Sequence, residues 1–240
     1  MNPIDKALFH ILQRCGLIAI LRGVQPHEVV AIGHALYDAG FRIIEVPLNS
    51  PEPLASIRAL RDALPADCLI GAGTVLSISA VADVATVGGQ IIVMPHSDPE
   101  VIRAARAAGM ACAPGVATLT EAYAALAAGA NMLKLFPAEA LPPHVLKAWR
   151  AVITPPMALV PVGGIVPESI APYAAAGASG FGLGSALYRP GDSAADVARQ
   201  AAAFVQAWQA SFGKAPAPLA SASSSAPPSS SMSDSSALFP

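Results

Sequence analysis

A lysine inside an apolar run is the first residue in this chain that points to chemistry. Lys134 sits within Met132-Leu133-Lys134-Leu135-Phe136-Pro137. Lysine rarely goes inside a protein without a reason. Burial disfavours the ammonium, and a neutral amine in an apolar pocket is the nucleophile that attack on a carbonyl requires. The plainer alternative is a stem packed in the core with its head in water. The chain has four lysines, and Lys6, Lys147 and Lys214 lie in segments with a helical pattern. Glu45 is the second such residue, within Arg42-Ile43-Ile44-Glu45-Val46-Pro47. Strand alternation puts Ile43, Glu45 and Pro47 on one face. A buried carboxylate is costly unless paired, and its pKa rises toward neutrality, which suits a general acid/base. The alternative is a structural partner for a cation, and a glutamate beside a lysine can be both.

Other polar groups fall where apolar runs end. Arg22 closes the first run, and its fork suits a substrate carboxylate or an ion pair with Glu45. Val162-Gly163-Gly164-Ile165 and Gly182-Leu183-Gly184-Ser185 close the last two runs. Glycines there let backbone N–H groups approach an anion, a following helix N-terminus favours it, and Ser185 adds a hydroxyl. Gly71-Ala72-Gly73-Thr74 offers another close approach and a hydroxyl. Of five histidines, only His96 lies just past a run, so the sequence gives no basis for a metal site.

Positioning these groups is the task of eight apolar runs, at residues 17–23, 42–49, 68–75, 90–95, 111–116, 132–137, 158–165 and 180–187. Helical patterns separate them. Val29, Ile32, Gly33 and Leu36 share one face, and Leu54, Ile57, Leu60 and Leu64 form a second stripe. Ser97-Asp98-Pro99-Glu100 and Thr118 to Glu121 read as capped helix starts. Gly40, Gly109, Gly129 and Gly177 read as helix ends. Strands alternating with helices imply a parallel sheet, and eight units in one α/β domain predict a (β/α)8 TIM barrel whose active site lies at the C-terminal strand ends. The rival is a doubly wound open sheet, but Leu21-Arg22-Gly23 is not a dinucleotide-binding turn. Residues 1–16 are expected to form a helix covering the bottom of the barrel.

Composition excludes other classes. The chain has 240 residues, 54% hydrophobic and 12% charged, with a formal net charge of −2. That balance gives no footprint for nucleic acid or an anionic membrane. Charges, prolines and glycines interrupt every long apolar stretch, so no membrane span is expected. Three scattered cysteines, Cys15, Cys68 and Cys112, fit a reducing cytoplasm, the last two as small core residues. Residues 1–213 are expected to be the barrel domain. Residues 214–240, rich in Ala, Pro and Ser, are expected to be a disordered tail, with Ala237-Leu238-Phe239-Pro240 as a conceivable docking motif.

The ordered set Leu21-Arg22-Gly23, Ile44-Glu45-Val46-Pro47-Leu48-Asn49-Ser50, Gly71-Ala72-Gly73-Thr74-Val75, Leu133-Lys134-Leu135-Phe136-Pro137, Val162-Gly163-Gly164 and Gly182-Leu183-Gly184-Ser185 resembles the KDPG/KHG class I aldolases. These enzymes split 2-keto-3-deoxy-6-phosphogluconate and its galactonate epimer. The resemblance covers nearly all of residues 17–208. It implies a homotrimeric carbon–carbon lyase that needs no metal or cofactor and acts on a phosphorylated keto-deoxy sugar acid. It implies that Lys134 forms the imine, Glu45 shuttles protons through water, and Thr74 lines the keto-acid end. Gly163, Gly164, Gly184 and Ser185 would hold the phosphate. In the gluconate type an arginine follows the glutamate. Here that segment reads Pro47-Leu48-Asn49-Ser50 and the arginine is Arg22, an arrangement that resembles the galactonate type, with Arg22 on the substrate carboxylate. The gluconate epimer is the alternative substrate. One departure is Glu139, where small polar residues are expected after Phe136-Pro137 and where a carboxylate at the mouth would disfavour a phosphate. A phosphosugar epimerase or isomerase and a non-catalytic sugar-phosphate binding protein are the rivals from other classes.

Overall fold

The structure, a computed structural model, describes residues 3–213. The expected tail at 214–240, with its Ala237-Leu238-Phe239-Pro240 ending, lies outside the described residues. Strands and helices alternate along the chain, and every strand pairing is parallel. The expected α/β class is what is found.

The sheet, however, is divided. Strands β1 (Leu17–Ile20), β2 (Ile43–Pro47), β3 (Leu69–Gly73), β4 (Ile91–Val93), β5 (Ala111–Ala113) and β9 (Phe181–Leu183) form a six-stranded sheet in the order β5-β4-β3-β2-β1-β9. Strands β6 (Gly115–Val116), β7 (Met132–Leu135) and β8 (Ala158–Pro161) form a second, three-stranded sheet. The fifth apolar run is therefore two strands. Pro114 has no N–H to continue the ladder, so β5 pairs with β4 while β6 turns to pair with β7. The Pro114 carbonyl accepts from Lys134 N–H at 2.9 Å, which ties this break to the lysine strand. At the other junction a single parallel bridge joins Val162 to Gly182.

Strand alternation sorts side chains into two cores. Ile18, Ile20, Ile43, Leu69, Ile91, Val93, Met132, Val160 and Val162 pack together on the inner side. Leu17, Ala19, Ile44, Val46, Ile92, Leu133, Leu135 and Leu159 face outward, against the helices. Glu45 follows Ile43 by two residues and Lys134 follows Met132 by two, so both take the inner side. Helix α1 (Pro3–Cys15) sends Leu8 and Ile11 into that inner cluster. Asp5 Oδ1 fastens it by accepting from Arg106 Nη2 at 2.8 Å and Asn131 Nδ2 at 2.6 Å. The helix expected near the start of the chain is thus held against the inner cluster by these contacts.

The outer helices follow their stripes. Helix α2 (Val29–Ala39) buries Val29, Ile32, Gly33 and Leu36 and ends at Gly40 with φ of 115°. Helix α3 (Pro53–Ala63) follows β2, and α4 (Ile78–Thr86) follows β3. Helix α5 (Pro99–Ala107) is capped by Asp98 rather than Ser97, the Asp98 carboxylate accepting from the Glu100 and Val101 N–H groups. Helix α6 (Leu119–Ala127) starts with the expected Thr118–Glu121 capping box. Helices α7 (Pro143–Trp149) and α8 (Pro167–Ala175) follow β7 and β8. The 19-residue α9 (Ala194–Phe212) buries Val197, Ala201, Phe204 and Trp208. Among the described residues no helix is long and apolar enough to cross a membrane.

Candidate active site

A cavity of about 300 Å³ opens where β1, β3, β7, β8 and β9 end. Its lining includes Arg22, Thr74, Lys134, Gly163, Gly164, Gly184 and Ser185. Seven of the eight residues picked from sequence therefore meet in one place. The eighth, Glu45, is outside the lining and 2% exposed, within electrostatic reach of Lys134 and Arg22. A Cβ on Gly73 would come within 1.8 Å of Glu45 Oε2, so only glycine leaves room for the carboxyl there. Glu45 Oε2 is buried with no hydrogen-bond partner among the described residues.

Lys134 is 7% exposed, which is the unusual burial its setting predicts. Desolvation pushes its amine below the usual lysine range; the Glu45 charge opposes that shift and Arg22 adds to it. Glu45 responds in the opposite sense. Burial pushes its carboxyl up to about 7, against the pull of Lys134 and Arg22. The pair combines an amine drawn toward neutrality with a carboxyl poised near neutral pH. Lys134 Nζ also lies 4.6 Å from the Phe136 ring centroid, a face that steadies a cation formed at that nitrogen.

Arg22 does not pair with Glu45. Its Nη1 donates to Asn49 Oδ1 at 2.5 Å, and its terminal nitrogens reach Thr74 Oγ1 at 3.4 and 3.5 Å. The turn carrying it is fixed by Gly23 N–H donating to Ser50 Oγ at 2.9 Å. Thr74 has φ of 54°, rare for a β-branched residue, which stores on the order of 1–3 kcal/mol where the hydroxyl must meet Arg22.

At the glycine ends the two expected cradles differ. Val166, in the cavity lining, is the N-cap of the nine-residue α8, so a helix start does follow Gly163 and Gly164. After β9 only turns form, one with Leu187 and Tyr188 N–H donating to the Gly184 carbonyl and one with Asp192 N–H donating to the Arg189 carbonyl, and the next helix begins at Ala194. Glu139 is not part of the lining. Its carboxylate packs against the Gly163-Gly164 turn, where a Cβ on Gly163 would stand 2.4 Å from Oε2. Among the described residues no group of three or more His, Cys, Asp or Glu is arranged to hold a metal ion.

The chain as a whole has clear relatives among known proteins. The family profile "KDPG and KHG aldolase" matches residues 8–201. The chain belongs to the KDPG and KHG aldolase family. Within it, a Rhizobium meliloti (strain 1021) protein named probable 2-dehydro-3-deoxy-6-phosphogalactonate aldolase is 50% identical over 197 residues, 82% of this chain and 93% of that relative. An Escherichia coli (strain K12) 2-dehydro-3-deoxy-6-phosphogalactonate aldolase is 50% identical over 193 residues, 80% and 94% of the two chains. A solved structure described as "Native KDPGal structure" superposes with a TM-score of 0.80 at 50% identity, covering 81% of this chain and 95% of that one.

Three features of this family member escaped the reading of its sequence. Asn49 orients Arg22. Phe136 sets its ring beside the lysine amine. Arg189 joins the lining from a segment beyond β9. Phe136 alone carried a local signal, two residues beyond Lys134 on the same strand face. Asn49 stood in the quoted Pro47–Ser50 segment without this role, and Arg189 is a long-range neighbour that no local pattern ties to the site.

Proposed function

We propose that this KDPG and KHG family aldolase cleaves 2-dehydro-3-deoxy-6-phosphogalactonate, in galactonate catabolism, to pyruvate and glyceraldehyde 3-phosphate. The observation that carries the mechanism is a desolvated Lys134 in the cavity lining, electrostatically coupled to a buried Glu45 held near neutrality. Lys134 Nζ attacks the C2 ketone, and loss of water leaves an iminium that acts as the electron sink. Glu45, through a water, takes the proton of the C4 hydroxyl. The C3–C4 bond then breaks, its electron pair moves into the enamine, and glyceraldehyde 3-phosphate leaves. The proton returns to C3 from Glu45, and hydrolysis of the iminium releases pyruvate and the amine. Acid/base participation of this kind contributes about 10²- to 10⁴-fold.

The remaining groups bind. Arg22, preset by Asn49, takes the substrate carboxylate with Thr74 beside it. Gly163, Gly164, Gly184 and Ser185 receive the phosphate, helped by the start of α8. The galactonate epimer is favoured over the gluconate one because arginine stands at 22 and asparagine at 49, and the two 50% identical relatives are named for that epimer.

The finer architecture belongs to the same proposal. The two parallel sheets are the arcs of one eight-stranded barrel, a reading supported by the hinge at Pro114 and the Val162–Gly182 bridge. Residues 1–213 make up this catalytic domain. The assembly is a homotrimer, which light scattering tests directly. The location is the cytoplasm, in keeping with three free, buried cysteines.

Borohydride trapping is the decisive experiment. Wild type incubated with pyruvate and reductant should gain one covalent adduct on Lys134, and Lys134→Ala none; an adduct elsewhere overturns the mechanism. Pyruvate release from each epimer, followed with a coupled dehydrogenase, then tests the substrate. Faster cleavage of the gluconate epimer overturns the epimer assignment alone. A metal-dependent epimerase or a mere binding protein would give neither adduct nor pyruvate.

A further inference from the structure

The cavity contains a cation that the mechanism above leaves unused. Arg189 lines it with Gly163, Gly164, Gly184 and Ser185. Two donated hydrogen bonds fix this residue. Its backbone N–H donates to Asp192 Oδ2 at 2.9 Å, and its Nε donates to the Ser185 carbonyl at 2.9 Å. The second bond ties the guanidinium to the residue whose hydroxyl stands at the glycine cradle. Among the described residues its two terminal nitrogens have no hydrogen-bond acceptor and no ion pair.

The charge balance of the lining sharpens the point. It holds three cationic residues, Arg22, Lys134 and Arg189, and no aspartate or glutamate, the Glu139 carboxylate lying against the Gly163-Gly164 turn outside it. Arg22 is engaged by Asn49 and Thr74, and Lys134 must be neutral to react. Arg189 alone presents an uncommitted planar fork to an incoming anion. Two N–H groups on such a fork match two oxygens of a phosphate. The glycine cradle by itself supplies backbone dipoles but no full positive charge.

We propose that Arg189 is a specificity-determining residue that grips the substrate phosphate alongside the glycine cradle and makes this aldolase select phosphorylated over unphosphorylated keto-deoxy acids. The inference rests on the aldolase reading. Its test is the ratio of kcat/KM for the phosphorylated substrate to kcat/KM for the same acid without phosphate. In Arg189→Ala that ratio should fall roughly ten- to hundredfold, the usual range for a lost hydrogen bond to a charged group, with the loss carried by KM. Arg189→Lys, which retains a point charge without the fork, should recover part of it. Inorganic phosphate should inhibit wild type competitively and Arg189→Ala more weakly. An unchanged ratio, or an equal loss for both substrates, would overturn the assignment and leave Arg189 a structural brace of Ser185. Should the alanine variant fail to fold, the lysine variant carries the same comparison. If wild type neither traps pyruvate nor cleaves either acid, the aldolase reading falls and this inference falls with it.

Discussion

Replacing Glu45 by glutamine should make the protein more stable at alkaline pH while slowing catalysis severely. The reasoning starts from burial. Glu45 is 2% exposed and its Oε2 has no hydrogen-bond partner among the described residues, so folding disfavours the carboxylate and raises its pKa from 4.5 to about 7. Between those values the folded state keeps a proton that the unfolded chain has released. Stability from this group is therefore fully present below pH 4.5 and is lost as pH rises through about 7. The loss amounts to at most about 3 kcal/mol. Glutamine never ionises, so it escapes this loss. It also removes the charge that raises the Lys134 pKa, which drives the amine further down and trims the gain. The measurement is urea unfolding of both proteins at several pH values from 4.5 to 8, at one protein concentration. The stability of Glu45→Gln relative to wild type should climb across that range, whatever its starting offset from packing or an unsatisfied amide. A flat difference would refute the claim that burial holds this carboxyl protonated. In the same preparations kcat should fall by about 10²-fold or more, and an unchanged turnover would reduce Glu45 to a structural residue.

Four further outcomes follow from the same geometry. Wild-type kcat/KM should rise with pH to a plateau above about 7, as the buried Glu45 becomes a base, and a profile flat from pH 6 to 8 would contradict that assignment. Gly73→Ala puts a Cβ 1.8 Å from Glu45 Oε2, so a displaced carboxyl should cost about 10²-fold in kcat, read by steady-state kinetics. Ser185→Ala should mainly raise KM for the phosphorylated substrate, and a KM unchanged in that assay would put the phosphate elsewhere. Asp5→Ala removes the acceptor shared by Arg106 and Asn131, which should lower stability by about 2 kcal/mol in chemical denaturation without touching the cavity.

How much of this was legible in the sequence can be judged residue by residue. Periodicity is a local property, and it determined the elements. The two-residue alternation put Glu45 on the face of Ile43 and Lys134 on that of Met132, and both side chains take the inner side. The apolar stripe of Val29, Ile32 and Leu36 marked α2, and Gly40 marked its end. A lysine and a glutamate in otherwise apolar strands announced the chemistry, because burying either is costly without a use.

Tertiary structure decided everything that depends on which residues become neighbours. The run at 111–116 is one apolar stretch in sequence, yet Pro114 lets its halves join different sheets, since only the partner strands determine which ladder each half completes. The absence of a side chain on Gly73 matters only because β2 and β3 pair with Pro47 opposite Gly73, which brings the Glu45 carboxyl against it. An ion pair with Glu45 was one reading of Arg22, but the packing gave it Asn49 and a strained Thr74 as its neighbours. Glu139, expected near the mouth, stands outside the cavity lining with its carboxylate against the Gly163-Gly164 turn, a placement set by contacts between segments. Residue types and local spacing set the chemical inventory. Protonation, orientation and the place of Arg189 come from desolvation and contacts between segments far apart in the chain, which no local pattern encodes.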